Sequence, residues 1–437
     1  MSKWLGVLRG AILVLITAQL TIPAATAGQP RLPKETARWI RIETTNFSVF
    51  SDGSENMARQ AAEALEMLRM VLGQLFGAST LVSPLPTKVF VFDDERSFEP
   101  YGPHLDGKTR QVGGYFSVGE LSNYVAIVGP RYSTDVSSIV HHEYLHHYLR
   151  TNQPDIPLWL NEGLAGVYST FKVEDGKAWI GYPNPLIVRW LRKFPSIPLA
   201  ELVAIDHDSP DYNDSDRRFA FYVTSWGLTH MLVMGTRDGR NRASAYVQLL
   251  REGVDQDEAF SRGLGGDYQE IEKEYKRYVR RNMSYFVIPV DSHLNGTAST
   301  TKMSYAETLF HLGDLLTALG SDRHTSATEH FRASLEANEL YGPSIAGLGY
   351  LEEVAGMDEA ALAKYRRAAE LAPDNFLANY RLGKMLCRTL EQGSDETERT
   401  STIEEARSAL QRAIAARPNF AEARAFLRYT SSLDRKP

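Results

Sequence analysis

Three early segments of the chain have apolar patterns that predict β-strands: the first alternates apolar and polar positions, and the second has an apolar core. These segments are ARWIRIETTNFSVFSD (38–52), TKVFVFDD (87–94) and NYVAIVGP (123–130), the last ending at Gly129-Pro130. Residues 55–76 instead combine helical spacing of apolar positions with good helix formers. Strands followed by a mainly helical remainder are typical of an α+β fold.

The next apolar patterns have the period of a helix. TDVSSIVHHEYLHHYLRTN predicts one helix, with a capping residue at Ser133 or Thr134. PDIPLWLNEGLAGVYSTF (154–171) predicts a second helix with a proline-led start, and a hairpin is expected around GKAWIGY. From residue 217 the pattern is mainly helical.

A pattern of small and large residues recurs three times in residues 304–437. Each copy pairs a glycine with small and bulky positions further along: Gly313 with Ala327 and Phe331, Gly349 with Ala361, Tyr365 and Ala368, and Gly383 with Ala406, Leu410 and Ala413. The pattern resembles the tetratricopeptide repeat. The resemblance implies an all-α solenoid whose concave face binds a protein partner; a plain helical bundle is the alternative.

Two features of residues 304–437 depart from the repeat pattern. Closing prolines, Pro373 and Pro418, are present in the second and third copies and absent from the first. The third copy also carries a polar insertion, EQGSDETERTSTIE, which predicts a loop. FAEARAFLRYTSSL is expected to form a terminal capping helix.

The ends of the predicted domains follow from composition. Residues 285–303 are less periodic and contain Pro289, Gly296 and a Ser/Thr cluster, so a linker is expected there. Residues 1–27 carry two cations, an apolar run and a final Ala-Thr-Ala, which indicates a secretory signal peptide. The mature domains are therefore expected at 28–284 and 304–437, in an exported protein, periplasmic or secreted, without a membrane span. A signal segment retained as an anchor is the alternative.

Charge and cysteine content exclude several classes of function. A net charge of −6 over 437 residues provides no argument for nucleic-acid binding or a polybasic membrane contact. The single cysteine, Cys387, excludes an internal disulfide. It lies in a predicted helix, where it is expected to act as a small buried hydrophobic residue.

The predicted helix after residue 133 contains the pentapeptide His142-Glu143-Tyr144-Leu145-His146. Residues four apart lie on one face of a helix, so His142 and His146 can bind one zinc ion at about 2.0–2.1 Å. Glu143 can then act as general base towards a water molecule that the ion activates. The alternative is a surface helix that happens to contain two histidines.

A candidate third ligand, Glu162, is separated from His146 by fifteen intervening residues and lies in the segment Trp159 to Ala165, WLNEGLA. Together the two motifs resemble those of the gluzincin metallopeptidases, with a spacing nearer to the peptidase-MA-like group of bacterial exported proteins. The resemblance implies an α+β zincin-like domain with one zinc ion per chain. It implies His142, His146 and Glu162 as ligands and Glu143 as the catalytic base.

The resemblance also implies a tyrosine or histidine that stabilises the oxyanion. Tyr222 is the first choice and His230 the second; simple core packing of Tyr222 remains an alternative. NYVAIVGP is placed like the edge strand that pairs with substrate, and residues 113–115 are expected to shape the cleft. His141 and His147 are expected to be partly exposed structural neighbours, with a hydrogen bond to the ligands as the alternative.

The segment WLNEGLA also resembles the second motif of the zinc aminopeptidases, but another motif of those enzymes is missing from this chain. Residues 105–138 contain no G-x-M-E-N segment, whose glutamate would bind the free amino group of a substrate. Glu120, the only glutamate in this range, lacks that context. The expected function is therefore a zinc-dependent endopeptidase or processing peptidase acting on a peptide or protein, with repeats that recruit the substrate or a partner. The alternative is an inactive scaffold whose repeats bind partner proteins.

Overall fold

The computed structural model describes residues 31–77, 83, 85–105, 108–109, 112–129, 136–153, 155–209, 212, 215–290, 299–392 and 396–433. The strands are β1 Ile40–Glu43, β2 Phe47–Ser51, β3 Thr87–Phe92, β4 His104–Leu105, β5 Lys108–Thr109, β6 Gly114–Val118, β7 Asn123–Val128, β8 Lys172–Glu174, β9 Lys177–Ile180, β10 Phe286–Pro289 and β11 Ser299–Lys302. The predicted signal peptide and the expected caps Ser133 and Thr134 lie outside the described residues.

Helices occupy most of the remaining described residues. The first ten are α1 Glu55–Phe76, α2 Glu95–Phe98, α3 Val136–Asn152, α4 Leu158–Ser169, α5 Pro185–Lys193, α6 Leu199–Ala204, α7 Ser215–His230, α8 Gly239–Arg251, α9 Gln256–Leu264 and α10 Tyr268–Val279. The next seven, α11 Tyr305–Thr317, α12 His324–Ala337, α13 Gly342–Val354, α14 Asp358–Leu371, α15 Phe376–Gln392, α16 Glu396–Ala416 and α17 Ala421–Leu433, form what we call the helical array. The fold is thus mixed α/β, with a helical C-terminal part.

A six-stranded sheet in the order β11-β1-β2-β3-β7-β6 forms the centre of the molecule. Its middle strands β2, β3 and β7 are parallel, whereas β6, β1 and β11 pair antiparallel with their neighbours. Side chains of a strand point alternately to the two faces, and here both faces are buried. Val89 and Val91 pack towards α1 and α3, whereas Phe90 and Phe92 share a cluster with residues of α11. Covering both faces explains the continuous apolar runs VFVF in β3 and YVAIV in β7.

Three predictions about strands and their connections differ from the structure. Residues 38–52 form two strands, β1 and β2, because Glu66 of α1 accepts hydrogen bonds from Thr44 and Asn46 in the turn between them. The strand in 123–130, expected at the edge, lies between β3 and β6. The segment 285–303, expected to be a linker, contributes β10, which pairs with β9, and β11, which pairs with β1.

The helical array is built from successive helix pairs in which glycines face large side chains. A Cβ atom at Gly313 would lie 2.7 Å from the Phe331 ring, and one at Gly383 would lie 2.5 Å from Leu410 Cγ. At Gly349 the neighbour is the Tyr365 ring at 2.9 Å. The small-to-large packing predicted from the spacing is therefore present in all three pairs.

The polar insertion in the third copy is helical where the structure describes it. The expected loop is wrong from Glu396 onwards, because α16 begins there and buries Ile403 and Ala406 at its inner face. Cys387 is fully buried in α15, as expected. Within the described part of the chain, none of the helices combines the length and the apolar character needed to cross a bilayer.

Helices α4 and α7 approach each other closely at Gly163. A Cβ atom there would lie 2.0 Å from Thr229 Oγ1 and 2.6 Å from the backbone oxygen of Ser225. One turn further on, a Cβ atom at Gly166 would lie 3.0 Å from Trp226 Cδ1. The sequence WLNEGLAG thus has glycine where a side chain would force these two helices apart.

We expect Gly163→Ala to destabilise the fold by about 2–3 kcal/mol, because overpacking against backbone outweighs the roughly 0.5–1 kcal/mol that alanine gains over glycine in a helix. Gly166→Ala is the matched control, since its Cβ atom would meet the Trp226 side chain at 3.0 Å and none of the backbone atoms that Gly163→Ala meets, so its loss should be smaller. Urea unfolding followed by tryptophan fluorescence measures both. A Gly163→Ala protein as stable as the wild type would contradict this packing.

Candidate metal centre

Helix α3 presents the two predicted ligand histidines on one face. Val140, Tyr144 and Leu145 of the same helix are buried in the core and fix its rotation. Because His142 and His146 are four residues apart, their rings project from the same side. Their Nε2 atoms are 3.1 Å apart.

Helix α4 brings the predicted third ligand to this face. It begins after Pro157, whose carbonyl oxygen accepts hydrogen bonds from the backbone of Leu160 and Asn161. Trp159, fully buried, and the close contact at Gly163 with α7 hold the helix on both sides of Glu162. The Glu162 carboxylate consequently points into the interior, where the residue is only 5% exposed.

The three ligand atoms converge. Glu162 Oε2 lies 3.3 Å from His142 Nε2 and 3.4 Å from His146 Nε2. These contacts lack hydrogen-bond geometry, and Oε2 has no hydrogen-bond partner among the described residues. Ligand atoms about 2.0–2.1 Å from a tetrahedral ion are separated by roughly 3.3–3.4 Å. His142, His146 and Glu162 therefore form a buried group that can hold a metal ion.

Two further residues orient the ligands. His146 Nδ1 donates to Asn161 Oδ1 at 2.5 Å, which leaves Nε2 as the lone-pair nitrogen of the neutral ring. The Tyr212 hydroxyl donates to Glu162 Oε1 at 3.0 Å and leaves Oε2 to face the histidines. Such outer hydrogen bonds fix the tautomer and direction of metal ligands. Both residues were missed by the sequence analysis: Asn161 adjoins Glu162 and could have been suspected, whereas nothing in the sequence marks Tyr212.

The ligands of the centre shift the pKa values of one another. Burial alone would lower the pKa of His146, but the Glu162 carboxylate, Glu143 and Asn161 together raise it to about 9. Burial alone would raise the pKa of Glu162, but the rings of His146 and His142 lower it. The buried charge of Glu162 needs a compensating positive charge, which a metal ion or a proton on His146 can supply.

Glu143 lies beside the ligands and beneath strand β6. A Cβ atom at Gly114 would lie 3.0 Å from Glu143 Cγ, so the backbone of β6 passes directly over this side chain. Burial raises the pKa of Glu143, the His142 and His146 rings oppose that rise, and Glu162 adds to it. A carboxyl group with a raised pKa is a stronger base, as a general base requires. Of the expected residues 113–115, Gly114 thus borders the centre.

Of the two candidates for the oxyanion, only Tyr222 faces the ligands. Its ring centroid is 6.5 Å from that of His142. Burial, followed by Glu162 and Tyr212, raises its pKa well above 10, so the hydroxyl keeps its proton. His230 instead donates from Nε2 to the Gly181 carbonyl and accepts at Nδ1 from the Tyr278 hydroxyl, each at 2.7 Å. Both nitrogens of His230 are therefore occupied by structural partners.

The two remaining histidines of α3 support the helix. His141 Nε2 donates to the carbonyl oxygen of Ala64 in α1 and its ring packs on Phe171. The His147 ring lies 4.7 Å from the ring of Phe116 in β6, and burial lowers its pKa to about 4. They are structural neighbours as expected, but both are buried, 3% and 5% exposed, rather than partly exposed.

We expect purified protein to bind one divalent ion per chain. His146→Ala and Glu162→Ala should each reduce binding of Zn²⁺, used as the probe ion, by at least about tenfold, because each removes a ligand. Glu143→Gln is the matched control: it changes a carboxyl group beside the three ligands that is not itself a ligand, and it should retain the metal. Metal analysis after gel filtration measures the content, and retention in Glu162→Ala would contradict the assignment of the third ligand.

Ion uptake should also depend on pH. The pKa of His146 is raised to about 9, so at pH 7 a proton occupies this ring when no ion is bound. Coordination requires the unprotonated ring, so binding should release about one proton, and affinity should rise about tenfold per pH unit up to pH 9. Calorimetry at pH 7 in two buffers of different ionisation enthalpy measures the release. Identical heats in both buffers would refute it.

Similarity to known proteins adds no assignment to this centre. No protein-family model matches the chain, and no curated protein matches it. The functional interpretation therefore rests on the residues and their geometry.

Proposed function

We propose that this protein is an exported zinc-dependent peptidase of the gluzincin type that hydrolyses peptide bonds in a peptide or protein. The observation that carries the proposal is the convergence of His142, His146 and Glu162 with a half-buried carboxyl group, Glu143, beside them. Two histidines and one glutamate are a ligand set typical of catalytic zinc sites. A bound zinc ion would lower the pKa of a water molecule and polarise the substrate carbonyl.

Glu143 is the proposed general base. It would accept a proton from the attacking water and transfer it to the leaving amine nitrogen, so that hydrolysis yields a carboxylic acid and an amine. A purely structural metal site needs no such residue. A second, half-buried carboxyl group close to Glu162 is an electrostatic cost to the fold, as the raised pKa of Glu143 indicates. This cost favours catalysis over the alternative of an inactive scaffold.

Tyr222 is the proposed stabiliser of the oxyanion. Its high pKa keeps the hydroxyl protonated at neutral pH, so it can donate a hydrogen bond to negative charge on the carbonyl oxygen. Its position 6.5 Å from the His142 ring centroid supports this role better than the enclosed setting of His230 does.

Substrate would be held in extended form along β6. This strand ends the sheet and passes over Glu143. An edge strand can add a peptide through main-chain hydrogen bonds. Glu120, the acid considered for binding the free amino group of a substrate, instead forms ion pairs with Arg381 and Lys384 of α15 at 2.9 and 2.6 Å. This supports endopeptidase or processing activity rather than aminopeptidase activity.

The helical array is proposed to be a tetratricopeptide-repeat domain. Its three helix pairs with glycine-to-large packing support this assignment, and its role would be to recruit substrate or a protein partner. Location outside the cytoplasm rests on the sequence of residues 1–27.

We expect Glu143→Gln to abolish cleavage while zinc content stays at the wild-type level and stability does not fall, since only the base and its unfavourable charge are removed. Tyr222→Phe should lower kcat by about 10²-fold with little change in KM, because it deletes one donor to the oxyanion. Quenched-fluorescent peptide libraries measure both variants in vitro. Comparing exported proteins from cells with wild-type or Glu143→Gln protein identifies substrates.

The controls separate catalysis from scaffolding. His104→Asn changes an exposed histidine that pairs with Asp322, away from the centre, and should leave cleavage unchanged. If the zinc-loaded wild-type protein cleaves nothing in either assay, or if Glu143→Gln retains full activity, the peptidase proposal fails and the scaffold interpretation replaces it.

A further inference from the structure

The turn between β6 and β7 lies against the helical array. Gly119 and Ser122 close the turn through a backbone hydrogen bond of 2.9 Å. Leu121 at its tip is only 8% exposed and belongs to the hydrophobic cluster of α13 to α17. A hairpin of the α/β part therefore contributes to the core of the helical part.

Three cations of the helical array hold this turn. Glu120 forms ion pairs with Arg381 Nη2 at 2.9 Å and Lys384 Nζ at 2.6 Å. Arg417 Nη1 donates to the Leu121 carbonyl oxygen at 3.0 Å while its guanidinium lies over the Phe376 ring. Both a side chain and the backbone of the turn are thus bound.

Arg381 is a buried cation, so this contact has to supply it with a nearby negative charge. Its side chain is 4% exposed, and its guanidinium lies 4.2 Å from the centroid of the Tyr350 ring. The second carboxylate near it, Glu353, is more distant, at 3.8 Å. Removing one partner from a buried ion pair leaves an uncompensated charge and costs far more than breaking an exposed pair. Glu120 is consequently the main counter-charge of a buried cation.

Strand β6 links this contact to the metal centre. Its side chains alternate between the two layers: Ser117 donates to the Ala318 carbonyl oxygen at 2.7 Å at the end of α11, and Tyr115 is buried on the same side. Gly114 and Phe116 face α3, where they contact Glu143 and His147. One strand thus touches the helical array through one face and the centre through the other.

We propose that the helical array acts within its own chain: by binding the β6–β7 turn through Glu120, it holds the edge strand β6 in position over Glu143. Glu120 and Arg381 are then positioning residues for the hydrolysis, which act through β6 without touching substrate. This inference rests on the proposed peptidase function for its catalytic consequence. Its mechanical part, the hold on β6, is independent of that function.

The experiment uses the full-length protein with Glu120→Gln and Glu120→Lys. The first removes the charge with little change of shape, and the second opposes Arg381 and Lys384 with a like charge. The matched control is Glu405→Lys, which breaks a two-bond ion pair with Arg366 at 2.8–2.9 Å inside the helical array, away from the turn. Hydrogen exchange of the amides of residues 114–118, zinc content, melting temperature, kcat and KM are measured for each.

We expect Glu120→Lys to speed exchange of the β6 amides about tenfold or more and to raise KM for a peptide by about tenfold, at unchanged zinc content. Glu120→Gln should move the same quantities in the same direction by less. Glu405→Lys should leave β6 exchange and KM unchanged. A merely structural role would lower the melting temperature in all three variants without a selective change in KM.

Two results would overturn the inference. If β6 exchange in Glu120→Lys equals that of the wild type, the array does not hold the strand. If exchange rises but kcat and KM stay at wild-type values, the hold has no catalytic consequence. Failure of the peptidase proposal is distinct: the zinc-loaded wild type then shows no cleavage, the catalytic part of the inference falls with it, and exchange alone decides whether the array holds β6.

Discussion

The buried carboxylate of Glu162 is the interaction around which the centre is arranged. A charge at this depth has to be balanced, and two histidine rings from a neighbouring helix lie within 3.4 Å of one of its oxygens. The position of α4 against α3 is therefore constrained from two sides: by this balance of charge, and by the close approach to α7 at Gly163. Tyr212 and Asn161 complete the arrangement by fixing which atoms face inward.

The sheet connects the helices of the centre to the rest of the molecule through its two packed faces. Its strands are buried on both faces, by α1 and α3 on one side and by the first helices of the array on the other. Ion pairs and hydrogen bonds cross this second boundary as well: Asp314 of α11 accepts from both Lys88 of β3 and Tyr124 of β7, each at 2.7 Å. The helical array is thus part of the packing that holds the sheet.

Some errors of the sequence analysis share one cause. The position of a strand in a sheet depends on pairing between distant segments, so the pattern of NYVAIVGP, which is apolar throughout, indicates burial and leaves its neighbours undetermined. The low periodicity of 285–303 suggested a linker for the same reason, because β10 and β11 derive their order from strands far earlier in the chain. The insertion before Ile403 was judged by its polarity, yet an exposed helical face is polar too.

The sequence by itself determined the features that depend on local periodicity. The four-residue spacing of His142 and His146 places both rings on one helix face, and the glycine-to-large spacings of the repeats predict pairs that do meet. Only the tertiary structure decided that Tyr212 orients Glu162, that β6 is the edge strand over Glu143, and that Glu120 is bound by Arg381. These contacts join residues far apart in the chain, 264 positions in the case of Glu120 and Lys384. No local pattern encodes them, because they arise from which surfaces pack together after the helices and strands have formed.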